Sequence, residues 1–201
     1  EAKALATGDH DSAGRRAYHA GSVYQLRQQG DEVLTWAARA SAHWTTAKAG
    51  VREQSLALRL RGIGHLLKRD YPAALKDARA CLELRRSLAA ESEDVASALS
   101  DVATIERHMK EFPAAKRDGR EALRIARAAG DDEGEANYMG NLANLALHEE
   151  TWPEAETLAR EALTLSEAVQ RKELIAADNH RLAIALVQQG RKAEALPHAQ
   201  Q

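Results

Sequence analysis

The chain has 201 residues, 44% of them hydrophobic but only 4% aromatic, so an interior must be filled largely by Ala and Leu. Its 28 basic and 30 acidic residues leave a net charge of −2, which gives no global field to draw in nucleic acid or anionic membrane. A lone Cys81 excludes an internal disulfide framework and fits a reducing compartment. No apolar run approaches the ~20 residues needed to span a bilayer. The first residue is Glu1 and no signal peptide is visible, so a cytoplasmic location is expected.

Hydrophobic periodicity predicts paired amphipathic helices from end to end. The first helix of each pair is expected over Ser12–Gln29, Val51–Arg69, Asp94–Lys110, Glu133–Glu149 and Glu173–Gln189. The second is expected over Asp31–Lys48, Pro72–Ala89, Pro113–Ala129, Pro153–Val169 and from Lys192 onward. Pro72, Pro113 and Pro153 stand where a helix can begin, because a missing N–H costs nothing in the first turn. Gly30, Gly50, Gly130 and Gly190 fall at predicted ends, where a residue tolerant of positive φ can terminate a helix.

The pairs repeat. Tyr71-Pro72-Ala73-Ala74 returns as Phe112-Pro113-Ala114-Ala115, as Trp152-Pro153-Glu154-Ala155 and weakly as Lys192-Ala193-Glu194-Ala195. Small residues recur in register at Gly62, Ala103, Ala143 and Ala183, at Ala74, Ala115, Ala155 and Ala195, and at Cys81, Ala122 and Ala162. A period near 40 residues marks stacked repeats rather than one closed core. In the N-terminal unit Val23, Thr35 and Ala42 are assigned to the small positions and Glu32 to the aromatic one. The spacing of Gln28-Gln29-Gly30 from Gln188-Gln189-Gly190 is taken to set that register.

This pattern resembles the tetratricopeptide repeat family, in a long form of about 40 residues. The resemblance implies an all-α, right-handed α-solenoid of about five helix-turn-helix repeats, against a HEAT or armadillo array as the other helical option. One domain over residues 1–201 is expected, with units near 10–50, 51–92, 93–131, 132–172 and 173–201, the last incomplete. A fragment of a longer protein is the favoured reading of that unfinished pair.

Chemistry-bearing motifs are missing: no phosphate loop, no nucleophile elbow and no H-E-x-x-H helix. Asp131-Asp132-Glu133-Gly134-Glu135 lacks calcium-loop spacing and reads as a solvated turn before a helix. Cys81 holds a packing position and reads as an inert buried thiol. No catalysis, cofactor or metal is expected.

In the resembled family the first helices line a concave partner groove. Asn137, Asn141 and Asn144, spaced by four and three, share one helix face there. An amide side chain offers both donor and acceptor and can grip an extended peptide backbone. Long repeats of the kinesin light chain type use Asn at the place equivalent to Asn141. Asp101 and Arg181 are its equivalents one repeat either side. Ser100, Thr104, Arg107, His108, His148 and His180 complete the candidate partner-binding set. Arg59, Ile63, Leu66 and Leu67 give the same face a more apolar character toward the N-terminus. A carboxylate clamp is not matched, since the stripe has no Lys. The expected function is a protein-interaction scaffold for a peptide or helix. The alternative is a regulatory array of the kind attached to signal-transduction ATPases and transcription regulators. Protein or peptide partners are expected, without nucleic acid or membrane, with self-association through an open terminal repeat.

Overall fold

The computed structural model describes residues 9–200; residues 1–8 and 201 of the expected domain lie outside the described residues. Ten helices are present among them: α1 (His10–Leu26), α2 (Gly30–Thr46), α3 (Val51–Leu67), α4 (Tyr71–Leu88), α5 (Glu93–His108), α6 (Phe112–Ala129), α7 (Asp132–His148), α8 (Trp152–Ala168), α9 (Lys172–Gln188) and α10 (Lys192–Ala199). The described residues contain no strand. They form five consecutive helix pairs, in two compact units over residues 1–90 and 91–201.

Local chemistry sets the helix starts. Asp9, Asp70, Ser92 and Asp131 cap α1, α4, α5 and α7 by accepting from backbone N–H groups three residues on, at 3.0, 3.2, 3.3 and 2.8 Å. Each such cap satisfies one of the orphan donors of the first turn. The acidic run from Asp131 is therefore a helix start. Pro72, Pro113 and Pro153 occupy the first turns of α4, α6 and α8.

The helix ends correct half of the glycine expectation. Gly130 and Gly190 do take left-handed backbone, with φ of 69° and 80°. Gly30 instead begins α2, and Gly50 precedes α3 with φ −69°. The left-handed positions nearest them belong to Gln28 and Lys48, with φ of 58° and 52°.

In the unit of residues 1–90, α1 packs on α2, α3 on α4, and α1 on α3. Val33, Ala37 and Leu60 form one core cluster, and Ala17, Ala40, Trp44 and Ala57 another. Here the expected register fails. Val23, Thr35 and Ala42 are exposed, whereas Gly21, Val33 and Ala40 are buried. Counting back 41 residues from Gly62, Ala74 and Cys81 reaches those three, so the true spacing from the first unit is 41. The Gln-Gln-Gly match at 160 residues shifts the register by two. Leu67 packs against the Val33 cluster, which makes it core rather than groove.

In the unit of residues 91–201, α5 packs on α6, α7 on α8 and α9 on α10, while the first helices also pack in series, α5 on α7 and α7 on α9. The small-residue registers lie between these helices: Ala143, Ala155, Ala159, Ala162 and Ala122 are all 0% exposed. Cys81, at the same place in the other unit, is 1% exposed. Such positions let backbones approach closely, and a side chain longer than Ala has no room.

Polar clips fasten the last pairs together. Glu156 of α8 accepts from Arg160 at 2.8 Å, from Gln189 at 2.9 Å and from Arg191 at 2.5 Å. Burial pushes its pKa up, but these hydrogen bonds outweigh burial and hold it below the ordinary glutamate value. A depressed folded pKa gives stability that is present above the unfolded value and lost as pH falls through the folded one. Glu156→Gln is therefore expected to lower stability at pH 7 by about 1 kcal/mol. The gap from the native chain should close on acidification below the unfolded value of 4.5. Urea melts at several pH values measure it.

Candidate functional site

The side-by-side arrangement of α5 and α7 opens a cleft of about 100 Å³. Ser100, Thr104 and Arg107 line it from α5, and Asn141 and Asn144 from α7. Ala103, Ala115, Gly119, Tyr138, Leu142 and Leu145 form the rest of its wall. Gly119 of α6 stands against α7, where a Cβ would meet Leu142 at 3.0 Å. The cleft is thus a polar rim over an apolar back, and its volume suits one side chain or a few waters.

Two contacts tie the helices across the cleft. Asn141 donates its amide N–H to Ser100 Oγ at 3.1 Å. Arg107 reaches His148 Nε2 at 2.7 Å and His108 Nε2 at 3.2 Å. A guanidinium only donates, so both imidazoles accept through Nε2 and carry their proton on Nδ1. Desolvation, and then the neighbouring Arg107 charge, hold the His148 pKa below the ordinary histidine value. His108 and His148, equivalent residues one repeat apart, are therefore joined through an arginine. No group of three or more His, Cys, Asp or Glu among the described residues is arranged to hold a metal.

The remaining sequence candidates lie elsewhere. Asn137 borders a separate open hollow of about 420 Å³ with Asp131, Glu133, Tyr138, Arg171 and Leu174. His180 is exposed and Asp101 half-buried, and neither lines the cleft. Arg181 turns onto Asp178 at 2.5 Å, inside its own helix. Asp178 in turn accepts from Ser166 at 2.6 Å. The repeat equivalence of Asp101, Asn141 and Arg181 thus does not become equivalence of role. Tyr138, Leu142 and Leu145 line the cleft without being sequence candidates, because their apolar i, i+4, i+7 spacing reads as core.

Serial helix pairs closed by small-residue registers define a tetratricopeptide-like helical repeat solenoid. Residues 94–168 match the tetratricopeptide repeat family model, which covers α5 to α8 and with them the cleft. The same fold is found in the nearly identical TPR-like repeats of a Podosopora anserina protein described as a kinesin light chain, crystallised as a single-substitution variant. That match has 15% identity and a TM-score of 0.74 over 95% of this chain and 93% of that one. BtubC (BKLC) from P. vanneervenii is similar at 16% identity and a TM-score of 0.72, over 98% and 86% of the two chains. The apo form of RapI matches with 14% identity and a TM-score of 0.76, over 95% of this chain but 52% of that one. At these identities the likeness is one of fold. No curated protein matches the chain in sequence. No described helix is long and apolar enough to cross a membrane.

Proposed function

We propose that the chain is a non-catalytic protein-interaction module that binds an extended segment of a partner protein along the first-helix face of residues 91–201. The supporting observation is the cleft between α5 and α7, where five of the polar residues expected from sequence come together: Ser100, Thr104, Arg107, Asn141 and Asn144. Amide, hydroxyl and guanidinium groups facing one small hollow can hydrogen-bond a peptide backbone and fix one side chain. Asn141 already donates across the cleft to Ser100, so a ligand would exchange one hydrogen bond for another at little desolvation cost.

The test is cross-linked capture of a partner from source-cell lysate. Asn141→Ala/Asn144→Ala is expected to weaken retention about tenfold, the loss of two hydrogen bonds. Asn137→Ala, outside the cleft, is expected to retain the partner. Equal retention by all three chains would move the site elsewhere.

A regulatory array inside a longer protein is the second reading. It is favoured by the RapI match, in which a comparable helical array makes up about half of the chain.

A further inference from the structure

The net charge of −2 conceals two opposite balances. Residues 1–90 carry 15 Lys and Arg against 9 Asp and Glu, a balance of +6. Residues 91–201 carry 13 against 21, a balance of −8. The basic unit also holds an arrangement of arginines on aromatic rings. Tyr24 of α1 and Trp36 of α2 stack with centroids 6.5 Å apart and planes 16° from parallel. The Arg27 guanidinium lies over Tyr24 at 5.9 Å, and that of Arg39 over Trp36 at 4.7 Å. Both arginines are exposed. Beside them Leu26 is 83% exposed and Val23 48%, the first an unusual level for a large apolar side chain.

Stacking engages the flat face of a guanidinium and turns its N–H edge toward planar, bidentate acceptors. It also restricts a long side chain before any ligand arrives, which lowers the entropy lost on binding. We propose that this face of α1 and α2 docks an acidic segment of a partner protein, with carboxylates on Arg27 and Arg39 and an apolar side chain on Leu26. Single-stranded nucleic acid suits the face less well. Base stacking needs an open aromatic face, and here each ring is taken up by the other ring and by a guanidinium. The site lies outside the cleft between α5 and α7 and does not depend on it.

The probe is a fluorescein-labelled peptide of eight glutamates around two leucines, titrated with the full 201-residue chain at low salt and followed by anisotropy. Saturable binding that weakens with added salt is expected. Arg27→Gln/Arg39→Gln should weaken it about tenfold, and Arg27→Lys/Arg39→Lys about threefold, since charge is kept but the stacked fork is lost. Lys76→Gln/Arg79→Gln, an equal charge change on exposed residues of α4, should change it less than about twofold. Asn141→Ala/Asn144→Ala should leave it unchanged, which separates this site from the cleft. No binding, equal losses for the α4 control, or tighter binding of a labelled oligothymidine would each overturn the proposal.

Discussion

Asp178→Ala is expected to destabilise the unit of residues 91–201 by about 3–5 kcal/mol, more than any other single substitution proposed for it. Asp178 is 1% exposed, and its two oxygens are divided between Ser166 Oγ at 2.6 Å and Arg181 Nη1 at 2.5 Å. Ser166 is 0% exposed, and the Arg181 side chain only 16%. Removing the carboxylate strands a buried hydroxyl and a largely buried cation at once. Gly140 of α7 adds a second constraint, because a Cβ there would lie 2.7 Å from both Arg181 Nη1 and Asp178 Oδ1. The cluster therefore joins α7, α8 and α9 through charge where neighbouring contacts are apolar. A double change, Asp178→Leu/Arg181→Met, should recover most of the loss, since an apolar pair replaces a buried ion pair at little cost. Failure of that recovery would locate the effect in backbone geometry instead.

The pH dependence of this cluster has the opposite sign to that of Glu156. Burial raises the Asp178 pKa above 3.8, and the Ser166 and Arg181 contacts only partly oppose it. A raised carboxylate pKa means that the native state binds more protons than the unfolded chain between the two values. Stability from this group therefore rises as pH falls through that window. The gap between the native chain and Asp178→Ala should widen on acidification, while the Glu156→Gln gap closes. Urea midpoints at neutral and mildly acidic pH distinguish the two.

The repeat makes the fold legible because Ala at 143, 155 and 162 marks close helix approach whatever lies around it. Boundaries follow from Asp and Ser caps and from Pro72, Pro113 and Pro153. The first unit misleads because a Gln-Gln-Gly string is a weaker restraint than packing. Gly21, Val33 and Ala40 differ enough in size to hide a register that burial makes plain. The cleft is legible in part. Asn141 and Asn144 share a face by spacing alone, but whether Arg181 faces the groove or folds back on Asp178 depends on the carboxylate three residues earlier. Likewise the −2 total hides the opposite balances of the two units, which only a division near residue 90 reveals.

Ala143→Leu is the second large expected effect, roughly 1–3 kcal/mol and toward the upper end of that range. Ala143 is 0% exposed and belongs to a cluster with Ala159, Leu182, Ala183, Leu186 and Ala195, which come from α8, α9 and α10. The added methylenes cannot turn toward solvent from such a position. Room for them would require α7 to part from α8 or α9, and dense interiors resist such separation. Because each pair contacts its neighbours in series, one enlarged residue weakens two helix interfaces. The control is Ala176→Leu on α9, an exposed site where the same added volume meets water and should cost little. A urea midpoint for Ala143→Leu equal to that of the control would mean that the small-residue register tolerates Leu, and that helix spacing in this array is set by other contacts.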